Sequence, residues 1–346
     1  MGTILMLHGV GSSADAWVKL APAFRERGWK VVTPTLRDEL RPTANPPAEL
    51  NKISLADYVA DVSAMAKEIA KADGTAPVVF GHSMGGMLAQ KLAEAGLVRA
   101  AVLITPASPP DARAGRSLAQ AVTFANILFS GRPENRPHRI WKFGFTSGVV
   151  NCVPKARHDE IFAQSRYDSG RVYADLAYPD EDPNRTVFVD ESKIAVPMLV
   201  VGGAKDRTTP IADVRLVAQK YKKVGADYRE YANNGHWIVD EPGTDKVIAD
   251  IAGWLDAKGL SPSARKPAAK GAPKAKAAPP KAKPAARKAA AASAAKAKTA
   301  AKPKPAPKPK AAAAAKAATP KAKPAPKPAA KPAAKPKAKK PAPKKR

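Results

Sequence analysis

Pro77-Val78-Val79-Phe80-Gly81-His82-Ser83-Met84-Gly85 runs directly into Gly86-Met87-Leu88-Ala89-Gln90-Lys91-Leu92. An apolar run, a serine with glycine two places before and two places after it, and an amphipathic segment follow one another without interruption. That order predicts a strand, a sharp turn and a helix, with a strained serine whose hydroxyl stands clear at the carboxyl end of a sheet. The small residues let strand and helix approach without collision. The N–H groups beside the serine then lie at a helix N-terminus, where negative charge is stabilised. An ordinary glycine-rich strand–helix turn is the alternative; the flanking pattern on both sides favours a nucleophile.

Outward from this turn, strand-like runs recur at 3–7, 30–33, 77–80, 100–104, 196–201 and 227–231. Several are continuously apolar, such as Met198-Leu199-Val200-Val201, as expected of strands covered on both faces. Amphipathic stretches lie between and after them at 16–27, 54–72, 86–95, 211–224 and 246–257. In the second of these, Asp57, Val59, Val62, Met65 and Ile69 show the spacing of a helix with one buried face. Strand alternating with helix predicts a mostly parallel sheet with helices on both faces. Residues 105–194 break the rhythm with an aromatic-rich set that includes Phe124, Phe129, Trp141 and Phe145. A structureless loop of that length is unfavourable, so a mostly helical insertion is expected. It starts at the carboxyl end of a strand, where such sheets bind ligands, so it reads as a cap lining an apolar pocket. An accessory helical layer is the alternative.

The charge divides the chain unevenly. Of the 59 Lys and Arg, 27 fall in residues 261–346, which hold none of the 30 Asp and Glu. Residues 1–260 are therefore near neutral, and the net +29 belongs almost entirely to the tail. The reading is a single α/β domain at 1–260, an ordinary size for one, followed by a Lys/Ala/Pro-rich tail at 261–346. Frequent proline forbids a long helix there, and alanine buries too little surface to offset chain entropy, so disorder is expected. Cys152 is the single cysteine, so no intrachain disulfide forms; this fits a reducing cytoplasm. The N-terminus lacks the basic and apolar regions of a signal peptide, and no stretch approaches a membrane span. A soluble, cytoplasmic body is expected.

A serine hydroxyl needs a base to take its proton, and the base needs a group to orient it. Of the five histidines, His82 adjoins the serine and is expected to pack. His8 ends the first strand, while His138 and His158 lie in the insertion. His236, in Asn233-Asn234-Gly235-His236-Trp237 after the last strand, is the best base. Asp206 follows the strand at 196–201 in Gly203-Ala204-Lys205-Asp206-Arg207 and is the first candidate for the orienting acid. An ion pair with Lys205 or Arg207 is its bland alternative, and Asp111 is the rival acid. The oxyanion needs preorganised donors. Met84 N–H, at the helix start, and Val10 N–H, in His8-Gly9-Val10-Gly11, are the candidates. No residue pattern suggests a metal, and Gly81–Gly86 lacks the Gly-Lys-Ser/Thr of a phosphate loop, so no cofactor is expected.

These elements resemble the α/β-hydrolase superfamily, in particular its compact esterases and lipases. The resemblance covers residues 3–257 and rests on Leu7-His8-Gly9-Val10-Gly11, Gly81-His82-Ser83-Met84-Gly85-Gly86, Gly203-Ala204-Lys205-Asp206 and Gly235-His236-Trp237. It implies the α/β-hydrolase fold, with Ser83 as nucleophile, Asp206 as acid, His236 as base, and Val10 and Met84 as oxyanion donors. The superfamily's chain order of nucleophile, acid and histidine favours Asp206 over Asp111. Serine rather than aspartate at 83 argues against the dehalogenase and epoxide-hydrolase branches. The first strand lies at the very start of the sequence, without the β-hairpin that often precedes it in the superfamily. The expected activity is hydrolysis of a small, uncharged or weakly charged ester through an acyl-enzyme. Acyl transfer to another acceptor stays open, as does a non-catalytic binding protein whose tail is the functional part.

The tail resembles the Lys-Ala-Pro tails of histone H1-like proteins and of some bacterial nucleoid- or granule-associated proteins. It implies a polyanion partner, nucleic acid first and an anionic membrane or granule surface second. Binding would be independent of base sequence and driven by counterion release. With no aromatic residue, it has nothing to stack on bases. A nuclear address and a solvated tail without a specific partner also stay open.

Overall fold

Apolar runs become strands and amphipathic stretches become helices, in alternation along the chain. The structure, a computed structural model, describes residues 2–115, 117–260 and 262. β1 (Thr3–Leu7), α1 (Leu20–Glu26), β2 (Lys30–Val32), α2 (Leu55–Asp73), β3 (Val78–His82), α3 (Met84–Glu94) and β4 (Ala100–Ile104) come first. The insertion supplies α4 (Leu118–Thr123), α5 (Ala125–Leu128), α6 (Lys142–Gly144), α7 (His158–Gln164) and α8 (Gly170–Ala177). β5 (Met198–Gly203), α9 (Ile211–Lys222), β6 (Asp227–Tyr231) and α10 (Thr244–Ala257) complete the alternation. The expected tail at 261–346 lies outside the described residues, apart from Pro262.

The six strands form one parallel sheet in the order β2-β1-β3-β4-β5-β6. Every residue of β1, β3, β4 and β5 is buried, which explains why these strands read as apolar runs without alternation. Alternate residues still serve opposite faces. Ile4, Met6, Phe80 and Val102 pack with Phe24 of α1 and Ile251 of α10. Leu5, Leu7, Val79 and Leu103 pack with Val62 of α2, Leu88 of α3 and Val217 of α9. Each such buried aliphatic side chain contributes about 1.5–3 kcal/mol of transfer free energy.

Several boundaries differ from the sequence expectation for local reasons. The stretch expected to be helical from residue 16 splits: Ser13 caps a short 3-10 turn at Ala14–Trp17, and α1 starts only at Leu20. β3 runs on to His82 and α3 starts at Met84, so a single residue, Ser83, makes the turn. In α2 the buried face is Leu55, Tyr58, Val62, Ala66 and Ile69, with Val59 and Met65 at its half-buried edge. Asp57 caps instead, closing a reciprocal capping box with Ser54. Residues 105–194 are helical and contribute no strand to the sheet among the described residues; an isolated antiparallel bridge joins His138 to Asp168. No helix among the described residues is long and apolar enough to cross a membrane.

Candidate active site

The strand order reverses direction between β1 and β3, and in such sheets the crevice outside the strand ends at that point takes ligands. His8-Gly9-Val10-Gly11 leaves β1 there and Ser83 leaves β3. Ser83 has φ 56° and ψ −120°, a conformation that non-glycine residues rarely adopt and that costs of order 1–3 kcal/mol. The surroundings hold it by close backbone packing. A Cβ on Gly85 would lie 2.0 Å from the Leu7 carbonyl oxygen, and one on Gly81 would lie 2.1 Å from that of Gly85. The Ser83 carbonyl accepts from Gly86 N–H (2.9 Å) and Ala107 N–H (2.9 Å), and its own N–H donates to the Ile104 carbonyl (3.1 Å). The strained turn is thus bound on three sides.

His236 Nδ1 lies 2.8 Å from Asp206 Oδ2, and both side chains are buried. Asp206 is itself immobilised. Its Oδ1 accepts from the N–H groups of Thr208 (2.7 Å) and Thr209 (2.9 Å), and its Oδ2 lies 2.8 Å from Thr209 Oγ1. Lys205 and Arg207 turn elsewhere, to Asn233 Oδ1 and the Ser147 carbonyl, so the acid faces the imidazole and not its cationic neighbours. Asp111 is exposed and paired with Lys220. A carboxylate on Nδ1 fixes the tautomer that leaves Nε2 as the acceptor, the arrangement a general base requires.

Ser83, His236 and Val10 line one cleft, together with Gly9, His82 and Trp237. The insertion supplies its apolar wall, including Phe124, Ile140, Phe145 and Val149. The accessible space is about 40 Å³. Met84 is the first residue of α3, where N–H groups have no intrahelical acceptor. Gly9 has no room for a side chain, because a Cβ there would sit 2.9 Å from Ser83 Cβ.

The other histidines have structural partners. His8 Nε2 accepts from Leu36 N–H at 3.0 Å and its Nδ1 lies 2.8 Å from the Gly9 carbonyl. His82 Nε2 donates to the His236 carbonyl at 2.9 Å, and its ring stacks edge-on against Trp17 and Trp237. Burial pushes both imidazoles down to about 3, so both are neutral. His138 and His158 sit against the carbonyls of Pro133 and Val153 within the insertion. Sequence reading anticipated the packing of His82 but not its grip on the His236 loop. It also missed Thr105, which has φ 41° and is fully buried. The Thr105 carbonyl accepts from Thr209 Oγ1, and its hydroxyl approaches the His236 carbonyl at 3.3 Å. A β-branched residue at positive φ joins the acid loop to the histidine loop, and no propensity signal marks it. Among the described residues no cluster of three or more His, Cys, Asp or Glu could hold a metal ion.

The family model described as "Alpha/beta hydrolase family" matches residues 4–250, which takes in every element of this site. The chain belongs to that family. As an α/β hydrolase it is 25% identical over 257 residues to the monoacylglycerol lipase of Mycolicibacterium smegmatis, covering 73% of this chain and 88% of the relative. In fold it is similar to the monoacylglycerol lipase of Paleococcus ferrophilus, with a TM-score of 0.52 and 18% identity over 74% of this chain and 94% of that one. It is equally similar in fold to a methylesterase from Arabidopsis, with a TM-score of 0.54 and 12% identity over 74% of this chain and 100% of that one. The chain is thus an α/β hydrolase with lipase- and esterase-like relatives.

Proposed function

We propose that the chain is a serine hydrolase of carboxylic esters, with Ser83 as nucleophile, His236 as base, Asp206 as its orienting acid, and Val10 and Met84 as oxyanion donors. One observation carries the reading. A serine at φ 56° on a strand–helix elbow shares a cleft with an imidazole whose Nδ1 is held at 2.8 Å by a buried carboxylate. Ser83 Oγ attacks the ester carbonyl carbon while its proton passes to His236 Nε2. The carbonyl oxygen, now negative, takes hydrogen bonds from the two backbone amides, each worth several kcal/mol of barrier. Collapse breaks the bond to the alcohol oxygen, which leaves with the proton from His236. Water then repeats the sequence on the acyl-enzyme and frees the acid.

The apolar wall of the cleft suits the acyl chain. A second cavity of about 360 Å³ shares Asp15, Ile161, Gln164 and Trp237 with the cleft and adds Arg25, Arg157 and Glu160. These polar groups stand among apolar ones, Trp17, Val18, Ala21 and Pro22, and offer hydrogen bonds to a hydroxylated alcohol such as the glycerol of a monoacylglycerol. The insertion at 105–194 acts as the cap, and its movement widens the cleft for entry. Fluorophosphonate labelling tests the chemistry: stoichiometric modification, lost in Ser83→Ala, is expected, and an unlabelled wild-type chain refutes it. Glycerol and methyl esters of one acid test the alcohol side, with faster turnover of the glycerol ester expected.

The 27 Lys and Arg of residues 261–346 support a second role, tethering the enzyme to a polyanion such as double-stranded DNA. Neutralising about ten phosphates gives a log–log salt slope near −9. A chain ending at residue 260 should lose that binding and keep small-ester turnover within about two-fold, since every residue assigned to the covalent steps lies within 1–260.

A further inference from the structure

We propose that Asp168, held by Arg41, is a positioning residue for the oxyanion hole. The pair clamps the loop 9–12 so that Val10 N–H faces the developing charge. Because Asp168 belongs to the insertion, the hole is complete only when the insertion is seated. This rests on the esterase reading of Ser83.

The clamp is a set of named bonds. Asp168 Oδ2 accepts from Gly11 N–H at 2.8 Å and from Arg41 Nη2 at 2.9 Å, with both side chains fully buried. Asp168 Oδ1 accepts from Tyr58 OH at 2.7 Å and from Ser169 N–H at 3.0 Å. Arg41 Nη2 also donates to the Ser12 carbonyl (2.8 Å), and Nη1 donates to the Leu36 carbonyl (3.0 Å). From the insertion, Arg166 N–H donates to the Gly11 carbonyl at 2.8 Å. Three bonds from outside the loop therefore hold both faces of the chain just past Val10. Within the loop, Ser12 N–H closes a turn on the Gly9 carbonyl at 3.2 Å.

Desolvating a guanidinium and a carboxylate together is costly, and apolar residues of similar volume often replace such pairs without loss of stability. This pair lies against the loop that carries the Val10 donor, and its bonds there go to loop backbone, so it does more than fill the core. Asp168 also ties the insertion to itself, exchanging both backbone bonds with His138 at 2.9 and 2.8 Å. A shift of the insertion would move Asp168, release Gly11 N–H and let Val10 turn away. Misplacement of a catalytic group by about 1 Å costs on the order of 100-fold in rate.

The test uses the full chain carrying Arg41→Met with Asp168→Leu, which leaves no buried charge unpaired, and Tyr58→Phe, which removes one bond to Asp168. Steady-state turnover of a soluble nitrophenyl ester, normalised to Ser83 titrated by fluorophosphonate, is compared with inhibition by an alkyl boronic acid. That acid adds to the serine as a tetrahedral anion. In the double variant kcat/KM should fall about 10- to 100-fold, with KM within about three-fold and boronate affinity falling in step with kcat/KM. Tyr58→Phe should show the same pattern at about three-fold. It also decides the matter if the double variant does not fold. Melting shifts with turnover and boronate affinity unchanged would overturn the proposal, leaving the pair purely structural. Failure of the wild-type chain to label at all would instead overturn the esterase reading beneath it.

Discussion

His82 Nε2 lies 2.9 Å from the carbonyl oxygen of His236, so the residue next to the serine holds the loop that carries the imidazole. The two rings are 4.8 Å apart. Replacing His82 with glutamine keeps a donor at similar reach, whereas alanine leaves the carbonyl with only the longer approach of Thr105. Steady-state kinetics should show kcat/KM within about three-fold of wild type for His82→Gln and about ten-fold lower for His82→Ala. Equal losses in both would mean that the ring's packing, not its hydrogen bond, sets the geometry.

Asp206 is surrounded by donors on both oxygens, and that makes Asp206→Asn a sharp test. One orientation of the amide turns its NH2 toward the N–H groups of Thr208 and Thr209. The other turns it toward His236 Nδ1. The second loses fewer bonds, and it forces the imidazole into the tautomer with the proton on Nε2. The variant should fold normally by circular dichroism while kcat drops on the order of 10³–10⁴. Retention of even a tenth of wild-type turnover would remove Asp206 from the role of orienting acid.

The elbow and its partners were legible because their signals are local. Gly81, Gly85 and Gly86 announce close packing within six residues, and β1, β3, β4 and β5 announce burial by continuous apolar runs. His236 and Asp206 could be chosen because each follows a strand. Arg41 and Asp168 could not. They lie 127 positions apart in the numbering, both are of types usually found at the surface, and only the folded insertion brings them together. Thr105 and Thr209 escaped for a related reason, since their roles depend on which loops meet, and no spacing rule encodes that.

Two glycines separate packing from helix propensity. A Cβ on Gly85 would sit 2.0 Å from the Leu7 carbonyl oxygen, backbone that cannot yield without moving β1. Gly85→Ala should therefore yield little soluble, folded protein. Gly253, in the interior of α10, is exposed and has nothing within 4 Å of its would-be Cβ. Gly253→Ala should raise stability by about 0.5–1 kcal/mol in urea melts, the helix-propensity difference between the two residues. A destabilised Gly253→Ala would contradict the open surface described at that position.

Acid should destabilise the fold through its buried histidines. Burial pushes His8 and His82 down to about 3, while an unfolded chain titrates them near the ordinary value of 6.5. Between those values the unfolded state binds protons that the native state refuses. Their stabilisation is thus complete above pH 6.5 and lost progressively as pH falls toward 3. Each histidine contributes a slope of up to about 1.4 kcal/mol per pH unit inside that window. Glu241, Asp175 and Asp213 oppose this, because burial raises all three, and their contribution is largest below the ordinary carboxylate range. Where burial lifts one of those carboxyls into the interval from pH 6.5 to 5, the native state takes up its proton there and offsets part of the histidine slope. His8 and His138, which burial also pushes down, keep their share in His82→Gln, so in urea melts across that interval the variant should lose less stability than wild type as pH falls, by up to about 1.4 kcal/mol per pH unit. An unchanged slope in the variant would mean that His82 is already protonated in the folded protein.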